Sequence, residues 1–174
     1  NAEDFSNKLN EILMRNTDPT NQMMLNLLDT HDTHRFLTRV NGNQDKLMSA
    51  LAITYFFPGT PCIYYGTENA MEGGYDPDCR RTFDWSLEEK ENPVKTLIQF
   101  LTTLKHNADF SSVETKIYAK NEMLIVERGE HILFINESKQ EKNIDTKDVC
   151  FSNRYKEGKL LSGGFVIYKQ RREN

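Results

Sequence analysis

Cysteine is scarce and scattered: Cys62, Cys79 and Cys150 are the three thiols of 174 residues. An odd count at wide spacing fits neither a disulfide framework nor a zinc site, and unpaired thiols point to a reducing, cytoplasmic setting. Blocks of basic residues are missing too. With a formal net charge of −4 and no Lys/Arg cluster, the chain lacks the electrostatic footprint of a nucleic-acid-binding protein. No apolar run nears the roughly 18 residues that cross a bilayer. The longest, Ala50 to Phe57, stops at Pro58-Gly59 and reads as the end of a buried helix. The first residues lack the basic-then-apolar pattern of a secretory leader. No internal repeat or low-complexity stretch breaks the chain. Aromatics are plentiful at 10%, and hydrophobic (37%) and charged (28%) residues are in ordinary globular proportion.

Periodicity divides the chain in two. Phe5, Leu9, Ile12 and Leu13 share one face of a helix predicted over residues 2–15, and the Thr17–Asn21 turn signals break it. Met23 to Leu28 is a short apolar run of the kind buried on both faces of a parallel sheet. Asn41-Gly42-Asn43 is a turn that opens a second helix, whose stripe is Leu47, Met48, Leu51, Ala52 and Tyr55. Cys62 to Tyr65 reads as a second buried strand, closed by Gly66-Thr67-Glu68, and a polar loop follows from Asn69 to about Asp84. Pro93 fits a first helical turn, with Val94, Leu97, Ile98, Leu101 and Leu104 behind it. This β-α alternation implies parallel strands covered by helices. Beyond a boundary expected near 108–112 the period becomes two. Met123–Val126 and His131–Ile135 flank Gly129-Glu130 as a hairpin, and Gly163–Tyr168 is a further strand. The charged tail from Lys169 to Asn174 is expected to fray.

Two polar clusters follow the two α/β strands: Asp29-Thr30-His31-Asp32-Thr33-His34-Arg35, and the loop from Gly66-Thr67-Glu68 through Asp76-Pro77-Asp78-Cys79-Arg80-Arg81. Polar residues at the outgoing ends of parallel strands form the functional face of a (β/α) barrel. Leu27 to Phe36, with His31-Asp32 after an apolar strand, resembles the seventh-strand motif of the α-amylase family of glycoside hydrolases. Pro58 to Glu68 is similar to its eighth-strand segment. Gly74 to Arg81 resembles the following loop of the cyclomaltodextrinase, maltogenic amylase and neopullulanase branch, although Thr82 stands where many relatives have proline. The last strands resemble the family's C-terminal β-sandwich.

The resemblance implies an α/β fold: the last two βα units of a TIM (β/α)8 barrel over 1–110, then a small antiparallel β-sandwich domain over 111–174. It implies a retaining glycosidase acting on α-glucosidic bonds of maltodextrin- or starch-type oligosaccharides. Asp32 matches the carboxylate that stabilises the transition state by accepting hydrogen bonds from two sugar hydroxyls. His31 matches the neighbour that donates to the same hydroxyls, and Asp76 with Arg80 matches a pair that binds the adjacent sugar. No cofactor and no metal are implied in this part of the family. Retaining enzymes also need a nucleophile and a general acid about 5–5.5 Å apart, which the family places on its fourth and fifth strands. The chain is therefore expected to be a C-terminal fragment, inactive alone, with an exposed barrel edge through which it would form homo-oligomers.

Other readings remain open at this point. Asp29, His31, Asp32 and His34 alternate and carry metal donors, but strand alternation would split them between two faces. His-Asp pairs also occur in metal-dependent phosphohydrolases of the HD type, where the pair lies in a helical bundle; the remaining histidines here are His34, His106 and His131. A non-catalytic reading makes the β domain a glycan-binding or partner-packing module. Tyr64, Tyr65, Tyr75, Trp85 and Tyr168 would then be stacking surfaces, although Trp85 is expected to anchor its loop in the core and Tyr64 and Tyr65 to lie on a buried strand.

Overall fold

The computed structural model describes residues 1–106 and 114–170. The expected domain boundary at 108–112 and the end of the charged tail lie outside the described residues. The helices form where capping and apolar spacing coincide. Helix α1 (Ala2–Met14) starts at Asn1, whose side chain accepts from the Asp4 amide at 2.9 Å. It buries Ala2, Ser6 and Leu9, while Phe5 and Ile12 of the predicted stripe stay partly exposed. Thr17–Asn21 does more than break α1. Pro19, in a first turn where its missing N–H costs nothing, opens a short helix α2 (Asp18–Met23).

Strands β1 (Leu25–Leu27) and β2 (Thr60–Cys62) pair in parallel, with Leu25 opposite Thr60 and Leu27 opposite Cys62. The second strand is thus set two or three residues earlier than expected, and Tyr64 and Tyr65 lie beyond its end. The double burial expected of the first strand is not found: Leu25 is 63% and Leu27 52% exposed. The reason is that β1 has a single strand neighbour and is packed on one side, by α4.

The connection from β1 to β2 runs through the short α3 (Phe36–Arg39), which periodicity did not reveal, and α4 (Gln44–Phe56). Asn43 caps α4 by accepting from the Lys46 amide at 3.0 Å, and the predicted stripe from Leu47 to Tyr55 is buried. Helix α5 (Pro93–His106) packs on α4 through Val94, Leu97 and Leu101.

The remaining strands are β3 (Thr115–Lys120), β4 (Met123–Arg128), β5 (His131–Asn136), β6 (Lys142–Asn143), β7 (Val149–Lys156) and β8 (Lys159–Lys169). The predicted hairpin is β4–β5, with Arg128 opposite His131. In place of two sheets, the described strands make one curled six-stranded antiparallel sheet. β7 runs along one edge of β8, while β5 and β6 share the other, so one long strand belongs to both portions and they never separate. Alternation sorts the side chains. Leu124, Val126, Leu133, Ile135, Phe165 and Ile167 join the core of α1, α4 and α5. Met123, Leu160 and Val166 meet Ile144 on the other face. The sheet also caps a helix: buried Arg128 donates from Nη1 to the carbonyls of Phe56 and Phe57, both at 2.9 Å, at the C-terminal end of α4.

The turn into β2 is tight. Gly59 has φ +108°, and a Cβ there would lie 2.5 Å from the Met24 carbonyl oxygen. Gly59→Ala is expected to lower stability by about 1–3 kcal/mol, measured by urea unfolding.

Candidate active site

The parallel register sends the loops that follow β1 and β2 out at the same end of the pair. His31 and Asp32 are not on the strand. They occupy a turn that starts after Leu27 and ends at α3. The alternation argument therefore fails here: Asp29 is buried, while His31, Asp32 and His34 are exposed. Among the described residues no group of three or more His, Cys, Asp or Glu side chains is arranged to hold a metal.

The four predicted site residues come together. His31 Nε2 lies 3.2 Å from Asp32 Oδ1, and Arg80 Nη2 lies 3.7 Å from the same oxygen. Arg80 Nε is 3.0 Å from Asp76 Oδ1 and also donates to the His31 carbonyl at 3.0 Å. Arg80 thus joins two residues that are 48 and 49 positions away with one four positions away. All four side chains are about half exposed or more, so they form an open, charged floor with two carboxylates around one guanidinium. Such a surface can accept hydrogen bonds from vicinal hydroxyls and donate others.

Several residues that matter to this floor were given no part in it by the sequence, where Asp29 was weighed only as a metal donor. Asp29 Oδ1 accepts from the Phe36 amide at 2.6 Å and Oδ2 from Thr67 Oγ1 at 2.7 Å. Arg35, fully buried, donates to the carbonyls of Tyr65 (2.6 Å) and Cys79 (3.0 Å), and its guanidinium lies over the Tyr64 ring at 4.2 Å. Cys79 is buried, and its thiol donates to the His31 carbonyl. Arg81 binds Asp78 through Nε and Nη2 at 2.6 and 2.8 Å; with the Gly74 amide it holds the Asp78 carboxyl below the usual carboxylate range. Both arginines carried a signal in their residue type, since a planar fork of donors suits holding two acceptors in a fixed geometry.

The stacking candidates fare differently. Tyr64 and Tyr65 pack on Arg35 instead of lying on a buried strand. Trp85 does not anchor its loop in the core: it is 77% exposed, in a 3-10 turn that continues the polar loop, with Phe83 edge-on at 4.8 Å. Tyr75 is exposed and meets His34 edge-on at 5.2 Å. Tyr168 is stacked on Phe134 within the sheet.

The chain thus combines a polar floor on the loops after two parallel strands with an antiparallel sheet. A family model described as "Alpha amylase, catalytic domain" matches residues 2–147, and the chain belongs to that family. It is 46% identical over 103 residues to a cyclomaltodextrinase of Thermoanaerobacter pseudethanolicus (strain ATCC 33223 / 39E), covering 59% of this chain and 17% of that protein. An intracellular maltogenic amylase of Bacillus subtilis (strain 168) is 40% identical over 103 residues, with the same coverage. The chain therefore spans 17% of the length of these two relatives. Among solved structures, a maltogenic amylase from S. marinus superposes with a TM-score of 0.70 at 26% identity, covering 85% of this chain and 22% of that one. The Nostoc punctiforme debranching enzyme reaches 0.79 at 24% identity, covering 97% and 40%, a likeness of fold.

The floor depends on close contact at Gly73. A Cβ there would lie 2.8 Å from the Asp78 carbonyl oxygen, 2.9 Å from Cys79 Cα and 3.2 Å from Arg35 Cγ. Gly73→Ala is expected to lower the melting temperature, at a cost of about 1–3 kcal/mol, read by calorimetry.

Proposed function

We propose that this chain carries the charge-stabilising and sugar-binding part of a retaining glycosidase that acts on α-glucosidic bonds of maltodextrin- or starch-type oligosaccharides. The observation that carries this reading is the convergence of His31, Asp32, Asp76 and Arg80 on one exposed floor. The names of the relatives, cyclomaltodextrinase and maltogenic amylase, support the substrate class. In fold terms, β1 and β2 with their helices supply the last two βα units of a (β/α)8 barrel, and the curled sheet takes the place of the C-terminal sandwich.

Asp32 accepts hydrogen bonds from two hydroxyls of the reacting glucosyl unit. As the glycosidic bond breaks, positive charge develops on the ring and those hydroxyls become better donors, so the bonds strengthen towards the transition state. His31, touching Asp32, donates to the same hydroxyls and orients the carboxylate. Asp76 and Arg80 hold the neighbouring sugar. Arg80 keeps both carboxylates from repelling each other across the floor. We assign no residue of this chain as nucleophile or general acid. The three free thiols and the intracellular maltogenic amylase among the relatives support a cytoplasmic location.

In the whole protein, Asp32→Asn is expected to lower kcat about a hundredfold to a thousandfold on maltooligosaccharides, with an unchanged circular dichroism spectrum. A near-normal rate would overturn the role. The purified 174-residue chain is expected to release no reducing sugar from soluble starch, and clear turnover would show that a nucleophile and acid had been overlooked.

A further inference from the structure

Two buried charges bracket the turn that carries His31 and Asp32. Asp29 precedes it and Arg35 follows it; they are 3% and 0% exposed. Asp29 holds the Phe36 amide with one oxygen and the Thr67 hydroxyl with the other. Arg35 reaches the Tyr65 and Cys79 carbonyls and Met71 Sδ, and its own amide donates to the Gly73 carbonyl at 2.9 Å. Among the described residues no carboxylate pairs with Arg35. Burying a lone guanidinium is more costly than burying an apolar side chain of similar volume, so packing does not account for this residue.

The targets do. Apart from the Phe36 amide, which starts α3, every side-chain hydrogen-bond partner of these two residues lies in the 65–79 segment. Cys79 is the relay: its carbonyl accepts from Arg35 while its thiol donates to the His31 carbonyl at 3.1 Å. The next residue, Arg80, donates to that same carbonyl and pairs with Asp76. Exposed ion pairs such as Arg80–Asp32 contribute little holding power by themselves. The bonds that fix the turn are those in the dry layer beneath it.

We propose that Asp29 and Arg35 are positioning residues: they staple both ends of the His31–Asp32 turn to the 65–79 segment and so set the carboxylate where the reacting sugar needs it. This rests on the glycosidase reading above. A displacement of about 1 Å at such a group costs on the order of a hundredfold in rate. The two staples therefore act on the rate through the placement of Asp32, and neither touches substrate.

The test uses the whole protein with Thr67→Val, Arg35→Lys and, as reference, Asp32→Asn. Thr67→Val keeps the shape and removes one donor from Asp29. Arg35→Lys keeps the charge and loses the fork. Steady-state kinetics on maltooligosaccharides are combined with inhibition by a cationic iminosugar that mimics the flattened ring. Both variants are expected to lose about tenfold to a hundredfold in kcat with KM within about threefold. Iminosugar Ki should rise in step with the loss in kcat/KM. Thr67→Ser, which keeps the hydroxyl, is expected to restore the rate. A lower melting temperature with kcat and Ki unchanged per folded molecule would mean a structural role only and would overturn the proposal. Should Arg35→Lys not fold, Thr67→Val against Thr67→Ser decides. If Asp32→Asn is inactive while Thr67→Val runs normally, the positioning claim alone falls. If Asp32→Asn keeps its rate, the glycosidase reading falls and takes this inference with it.

Discussion

Parallel pairing of Leu25–Leu27 with Thr60–Cys62 is the constraint on which the rest depends. Strands that run the same way must release their following loops at the same end. That is the reason residues about 45 positions apart can share one floor. The pairing is short, three residues on each side, and is reinforced from outside the strands. Asn26 donates to the Pro58 carbonyl at 3.0 Å, and the Thr60 amide donates to the Met24 carbonyl at 2.7 Å. A side chain at position 59 would break the approach, so the glycine there serves register more than flexibility.

Charge is sorted by depth around this floor. Above it, His31, Asp32, Asp76 and Arg80 stand in water, where their mutual attraction is screened and their hydroxyl-binding capacity is free for a ligand. Below it, Asp29 and Arg35 are dry and fully engaged with backbone and hydroxyl partners. The two layers divide the work. On the proposed reading, a carboxylate that responds to charge appearing on a sugar has to keep lone pairs available, so it is not also the group that anchors its own loop. The anchoring falls to the neighbours three positions either side, Asp29 and Arg35.

Much of this was legible in the sequence where a period or a cap expressed it. The stripe of α4, its start at Asn43, the Pro93 start of α5 and the β4–β5 hairpin follow from spacing and turn chemistry alone. His31, Asp32, Asp76 and Arg80 were picked out because their residue types and order match a family pattern, and the fold brings these four side chains to one place. What was not legible depends on partners distant in sequence. Nothing local marks Arg35 as buried, since arginine in a polar cluster reads as solvated until Tyr64, Tyr65 and Cys79 are placed around it. Exposed Leu25 and Leu27 are the converse case: an apolar run predicts burial only where something exists to cover it. β7 escaped because the apolar residues of Val149–Lys156 do not alternate with polar ones and it owes its strand state to pairing with β8, and Pro19 was read as a breaker where it starts a helix.

The sheet, remote from the floor, is nonetheless tied to it through α4. That helix spans the connection from β1 to β2, so its axial position sets where both strands lie. Its start is fixed by Asn43 and by Asp45, which binds Asn153 and Arg154 of β7 at 2.9 and 2.8 Å. Its end is fixed by Arg128 of β4 and by Lys105 of α5, which donates to the Tyr55 and Phe57 carbonyls at 3.1 and 3.2 Å. Donors at a helix C-terminus satisfy the orphan carbonyls. Clamped at both ends, α4 cannot slide along its axis without breaking a hydrogen bond at one end or the other. The β1–β2 pair, held beside α4, inherits that immobility, and with it the loops that bring Asp32 and Arg80 together.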